Sequence, residues 1–452
     1  MEEHRRKRTK AFQRTVGANF AAKLFSVSCT FLQVPIALKY LGTEAFGVWA
    51  TLSSITNIMI FADLGLGSVA QNQVSHAVGN NDPGAAYRTM ATAFVLLSGA
   101  GAVIAAAALF FCFHFDWSHI FPGLSSHFAG EIPMAFAVLV GFFAAGLPLA
   151  ALSRLTLSFQ VGWLTSLSSA LNAFLTLAAV FCAAHYRLGF IPFIALGAAA
   201  PVIANLIVVI MLLVIHPAAL RARPTLDRAT VKSFFKTGFF FFVPTVGCIL
   251  FTGGPTLILS SVLGPAAVVP YQLMQRLMGV SSQVYGLMIL PLWPAYTEAR
   301  ARGDEAWIRG ALRKSLLVGL GLFAVPVLST PLWGAWVIHL WSGYTGAGIT
   351  FLNLSLMALL TAATLLSQGT ATFLSALGHL LSMATFGFGS VILTLAIMPY
   401  FAAHWGLSGG LLAILLPFVG INFAATSAET FYRLRHLDRE IALVAENKGK
   451  GV

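Results

Sequence analysis

Lys23, Asp63 and Arg276 each lie inside a long apolar run, where lipid leaves little room for charge. Inserting an ionised side chain into a bilayer costs roughly 2.5–3.5 kcal/mol, so such groups face a bundle interior or a wet cavity. Each lies on a polar stripe with helical spacing. Asn19, Lys23, Ser26, Thr30 and Gln33 make the first stripe. Ser53, Thr56, Asp63, Gly67 and Gln71 make the second, and Gln272, Arg276, Gly279 and Gln283 the third. A fourth, uncharged, runs through Thr361, Thr364, Gln368 and Thr372.

The chemistry open to these groups is recognition. Two cations against one acid leave a cavity net positive, which suits an anionic substrate. Arg276 can hold a phosphate bidentately, which a lysine cannot. The amides and hydroxyls suit sugars. Asp63 reads either as a proton-responsive group or as the counter-ion of a cavity cation. The plainer alternative is that Asp63 bonds Lys23 or Arg276 and serves helix packing alone. Serine and threonine carry less weight, because their hydroxyls readily bond their own helix backbone. Arg14 and Lys236 mark basic cytoplasmic entrances ahead of the first and seventh spans.

Membrane helices must position these stripes. Of 452 residues, 58% are hydrophobic and 9% charged, and the mean hydropathy is +0.83. Soluble chains carry about 25% charged residues, so a polytopic all-α membrane protein is expected. About twelve runs are long enough to span, among them 15–40, 44–77, 131–153 and 404–428. With the N-terminus inside, all but four of the 27 lysines and arginines fall in cytoplasmic connections, Arg154 among them. An even number of helices with both termini cytoplasmic follows. The net charge of +12 then faces anionic headgroups, and no nucleic-acid partner is expected. The start MEEHRRKRTKAFQR leads directly into a span and does not resemble a cleavable signal peptide.

The chain also looks duplicated. At an offset of 222 residues Gly42 falls on Gly264, Asp82 on Asp304, and Arg14–Thr15 on Lys236–Thr237. The expected organisation is a basic N-terminus (1–14), a six-helix lobe (15–216), a basic connector (217–236), a second six-helix lobe (237–428) and a cytoplasmic tail (429–452). Parallel repeats of this kind are typical of transporters, with the substrate site between the halves. No P-loop, H-E-x-x-H or C-x-x-C is present, so neither an enzyme nor a cofactor is expected. Large periplasmic loops suited to a membrane glycosyltransferase or polymerase are also missing. Cys29, Cys112, Cys182 and Cys248 read as small buried hydrophobes. His114, His119 and His127 read as an interfacial loop, with no metal site expected. Gly65 and Gly67 read as packing or flexibility residues.

The stretch 40–82, with LGxxxFGxW at 41–49 and DLGLG at 63–67, resembles the polysaccharide-biosynthesis, Wzx-type flippases of the MATE-like MOP superfamily. The resemblance implies two six-helix lobes around a central cavity. It implies alternating-access export of an undecaprenyl-diphosphate-linked oligosaccharide across the bacterial cytoplasmic (inner) membrane, for O-antigen or exopolysaccharide. Membrane lipid, a polysaccharide polymerase or other assembly proteins are the partners implied. Lys23 and Arg276 fit the family's cavity cations by position and charge, and Asp63 occupies the DLGLG position itself. Two alternatives lie in the same superfamily. A cation or drug antiporter would need cavity acids, of which Asp63 is nearly alone. A MurJ-type lipid II flippase usually has more than twelve helices.

Overall fold

The computed structural model describes residues 2–59 and 63–437. Side chains of residues 1–20, Arg14 and Asn19 among them, lie outside the described residues, as does that of Cys248. Every regular element described is helical. Eight helices are long and apolar enough to cross a membrane by length and composition. The merged helices Glu2–Ile58 and Leu380–Pro417 are divided by kinks at Gly42 and at Trp405–Gly406. Divided there, the described chain runs through twelve helical passes.

Glycine makes the sharpest corners. Gly42, Gly189 and Gly264 have φ of 74°, 86° and 86° with ψ of 176°, 175° and 164°. This region is essentially closed to residues with a Cβ. At Gly42 and Gly264 a single residue therefore turns the chain from one helix into the next, and at Gly189 the whole connection is three residues long. The repeat reappears at the following turn. Asn81 and Gly303 are both left-handed, and Asp82 and Asp304 then cap the next helix. Asp82 accepts the Ala85 amide at 2.9 Å and Asp304 the Trp307 amide at 3.0 Å. Each satisfies a donor that a helix start leaves orphaned.

Two compact units result, Met1–Ile249 and Leu250–Val452. The division falls within the helix Arg228–Leu263. Its first part packs on the first unit: Phe234, 1% exposed, joins a core with Leu66, Val74, Leu97 and Leu155. The second unit's core includes Tyr296, Ile308, Leu312, Phe373 and Leu437. There the Tyr285 hydroxyl donates to the Ser315 carbonyl at 3.1 Å, just before the π-helical segment Gly319–Ala324. A methyl on Gly319 or Gly369 would press into that tyrosine.

Three expectations need correction. The run 44–77 is not one helix: it is interrupted after Ile58 and restarts at Leu66, through left-handed Leu64 and Gly65. The helix expected at 131–153 continues to Ser158, which places Arg154 inside it. Cys182 is exposed, whereas Cys29 and Cys112 are buried. A thiol behaves as a small hydrophobe, so a position facing lipid suits it as well as a core does.

Candidate functional site

The break in the second pass is built around Asp63. A left-handed Leu64 (φ 47°) and Gly65 (φ 74°) turn the chain, and the helix Leu66–Gly79 starts after them. Asp63 Oδ1 accepts the Gly67 amide at 2.7 Å, so the carboxylate caps this new helix. A Cβ on Gly67 would stand 3.0 Å from Asp63 Oδ2, so the glycine leaves room for the acid. A Cβ on Gly65 would overlap the Gly238 carbonyl, and one on Gly238 would lie 2.6 Å from the Leu64 carbonyl oxygen. The two glycines of DLGLG thus have separate uses: one admits a neighbouring helix, the other the carboxylate.

The other oxygen of Asp63 faces Arg154 Nη1 at 3.4 Å. This partner is neither Lys23 nor Arg276. Both groups line a cavity of about 360 Å³ inside the first unit. Its walls are mostly apolar, with Trp49, Phe142, Phe143, Leu147 and Val202. Ser53, Thr56, Asn57, Thr176 and Asn205 supply the polar positions. The Thr56 and Thr176 hydroxyls bond carbonyls of their own helices. Asn205 Oδ1 accepts from Ser168 at 3.0 Å. Asp63 is the sole carboxylate on this lining.

The resemblance motif acquires a physical meaning here. Gly42 turns the chain, Glu44 accepts the Ser125 amide at 2.7 Å, Phe46 is fully buried, and Trp49 walls the cavity. The Gly189 amide donates to the Tyr40 hydroxyl at 2.9 Å, tying one glycine corner to the other.

The remaining expected residues are distributed as follows. Lys23 is partly exposed with no ion pair among the described residues. Gln33 is buried. The Ser26 hydroxyl reaches the Ser169 carbonyl at 3.2 Å as well as its own helix, and Thr30 bonds its own helix. Gln71 is not part of the cavity lining; its carbonyl accepts from Ser158. Lys236 is exposed on the helix Arg228–Leu263.

In the second unit, Arg276 Nη1 is buried without a hydrogen-bond partner among the described residues. Gln368 Oε1 is in the same condition. Gln272 donates to Thr256 at 3.1 Å, and Gln283 is exposed. A smaller cavity of about 140 Å³ takes Gly279, Thr361 and Thr364 from the expected stripes and adds Gln275 and Ser282. Arg154, Asn57 and Asn205 are what the stripes omitted. Asn57 lies four residues after Ser53 and has the stripe's own spacing, whereas Arg154 and Asn205 pair across helices, which leaves no such spacing.

No family model matches the sequence. A Salmonella typhi protein named as an O-antigen transporter is 21% identical over 430 residues, 93% of this chain and 96% of its own length. A Yersinia pseudotuberculosis protein named for O-antigen export is 23% identical over 309 residues, 63% of this chain and 64% of that protein. Among solved structures, an inward-facing MATE multidrug resistance transporter of the MOP superfamily superposes with a TM-score of 0.73 at 15% identity, over 92% of this chain and 95% of that one. The lipid II flippase MurJ, in an inward closed conformation, gives 0.68 at 13% identity, over 93% and 90%. Relatives and structures both agree with the resemblance carried by residues 41–49 and 63–67: the protein is a multi-pass inner-membrane protein with the fold of the MOP superfamily.

Proposed function

We propose that the protein is a flippase that moves an undecaprenyl-diphosphate-linked oligosaccharide across the bacterial cytoplasmic membrane by alternating access, for O-antigen or exopolysaccharide biosynthesis. The observation that carries this reading is the charge state of the first unit's cavity. Its one carboxylate, Asp63, is committed to the Gly67 amide and to Arg154. A cation antiporter needs an acid free to trade its partner, and here the Arg154 guanidinium stands beside the acid. In the second unit Arg276 is buried with no acid beside it among the described residues. The acid is thus balanced within its own cavity and Arg276 is left unbalanced among the described residues, which favours a diphosphate over a cation. Asn57 and Asn205 offer hydrogen bonds of the kind a sugar headgroup needs. The names of the two sequence relatives point the same way. The prenyl tail stays in lipid while the headgroup crosses, and a polysaccharide polymerase or other assembly protein receives it.

The test is deletion of the gene followed by assay of surface polysaccharide and of the lipid-linked precursor. Loss of polymer with intact precursor retained on the cytoplasmic leaflet is expected. Restoring the wild-type gene recovers export, while Lys23→Gln combined with Arg276→Gln reaches the membrane at normal level and does not. Full export by that double variant would overturn the anion-site reading. Normal polymer in the deletion strain, with new sensitivity to cationic drugs, would replace the flippase by an antiporter.

A further inference from the structure

The two units carry equivalent pockets on their third passes, walled differently. In the first unit a pocket of about 390 Å³ is lined by Ala85, Arg88, Thr89 and Thr92 of the helix Pro83–His114. Its opposite wall is polypeptide: Thr225, Thr230, Ser233 and Phe234. The Thr225 amide donates to Thr92 Oγ1 at 2.8 Å, which pins that wall in place.

The repeat offset of 222 carries the four helix residues onto Trp307, Gly310, Ala311 and Lys314. These four line a pocket of about 430 Å³ in the second unit. The rest of its lining comes from neighbouring helical segments, including Met288, Ile289 and Leu292. The same offset carries the segment 225–234 to positions from 447 onward, outside the described residues.

The second pocket also differs in chemistry. Where the first has hydroxyls, this one is largely apolar with a single cation, Lys314. Its surroundings expose Met288, Leu290, Trp293, Trp307 and Leu317, a surface suited to hydrocarbon. Tryptophan prefers the headgroup level of a bilayer, so Trp293 and Trp307 place the opening near the membrane interface. On the helix Glu305–Val318, Arg309 is paired with Glu305 at 3.5 Å. Arg313 and Lys314 are exposed and have no ion pair among the described residues. Basic pockets between membrane helices bind anionic lipid headgroups.

We propose that this pocket is a binding site for an anionic phospholipid of the surrounding membrane, with the lipid phosphate on Lys314 and an acyl chain between Met288 and Gly310. Arg313 adds positive field beside the phosphate. The inference is independent of what the protein transports.

Native mass spectrometry of the full chain in detergent tests it, with phosphatidylglycerol and phosphatidylethanolamine as probes. Two variants attack the site by different routes. Lys314→Gln removes the charge. Gly310→Leu fills the groove, and a Cβ there meets nothing within 4 Å, so the fold need not shift. Arg88→Gln, in the equivalent pocket of the first unit, is the control. Wild type is expected to retain phosphatidylglycerol in preference to phosphatidylethanolamine. Lys314→Gln lowers that retention about fivefold, as loss of one interfacial cation contact does; Gly310→Leu lowers it as well, and the control does not. Unchanged retention in both variants, or equal retention of the two lipids, overturns the proposal. So does displacement of phosphatidylglycerol by an equimolar polyprenyl phosphate, which would make the groove part of a substrate path.

Discussion

Asp63 does two jobs with one carboxylate, and substitution separates them. Oδ1 takes the Gly67 amide at 2.7 Å, and Oδ2 faces Arg154 Nη1 at 3.4 Å. Asp63→Asn keeps an oxygen for the amide and removes the charge, whereas Asp63→Ala removes both. A helix cap of this kind is worth about 1 kcal/mol. The ion pair is worth less than the burial of Asp63 suggests, because the Arg154 side chain is 46% exposed; about 0.5 kcal/mol is appropriate for such a pair. The expected cost is therefore about 0.5 kcal/mol for asparagine and about 1.5 kcal/mol for alanine. For a unit the size of Met1–Ile249, each kcal/mol moves the midpoint by roughly 2–4 °C. The alanine variant should then melt about 3–6 °C below wild type, and the asparagine variant about 1–2 °C below it. Tryptophan fluorescence during a thermal ramp in detergent reads both. Arg154→Gln completes a double-mutant cycle, in which the asparagine and glutamine changes together cost less than their sum. Equal losses from Asn and Ala would refute the capping role. Strict additivity in the cycle would refute the pair.

The other expectations concern corners and the connector. Gly42→Ala should cost about 1–3 kcal/mol from backbone conformation alone, since nothing lies within 4 Å of the added methyl. Gly141→Ala, equally uncrowded but within the helix Ile132–Ser158, should gain about 0.5–1 kcal/mol; melting of the two purified variants in opposite directions checks both. Gly238→Ala places a methyl 2.6 Å from the Leu64 carbonyl oxygen, so the folded peak in size-exclusion chromatography should shrink, and an unaffected peak would dissociate this helix from the break. His216, in the connection after Ile215, is held below its ordinary pKa by burial. It also bonds the Tyr87 hydroxyl through Nδ1 at 3.2 Å and packs on Phe159. The unfolded chain binds this proton first, so the stability tied to neutral His216 is present above about pH 6.5 and lost as pH falls toward the folded-state value. Between about pH 7.5 and about 5.5, wild type should lose more thermal stability than His216→Gln, and parallel losses in the two would exclude the histidine.

Much of the scaffold was legible because its signals are local. Asp82 and Asp304 read as equivalent loop residues of the repeat, and in the structure each caps the helix that follows by accepting an amide three residues on. The repeat that these residues share with Gly42 and Gly264 is matched by their backbone angles. The interruption near Asp63 was harder to read. FADLGLG is apolar enough to continue a span, and hydropathy outweighed the turn chemistry of an aspartate and a glycine two residues apart. Arg154 was misplaced for a related reason. An arginine just beyond an apolar run reads as a loop residue, yet its long flexible side chain suffices to carry a guanidinium back along the helix toward an acid. That its acid is Asp63, 91 positions earlier, leaves no trace in spacing. The π-helical segments at Gly319–Ala324 and Phe418–Phe423 were likewise invisible, because they depend on what packs beside them, as Tyr285 does at Gly319.

The glycine corners also decide what a visitor to that side of the molecule can hold. As the passes alternate, Gly42 and Gly189 share a side with the stretch 115–131 in the first unit, and Gly264 and Gly406 share one with 343–350 in the second. Where one to three residues join two helices, there is little slack backbone for a protease cleft, an antibody loop or an inserted epitope tag to engage. Only the two longer stretches offer such a handhold. Within the first, Trp117 and Phe121 are buried and Ser125 is tied to Glu44, which leaves the tip at Gly123 as the place where an engineered tag would report on the folded protein without disturbing it.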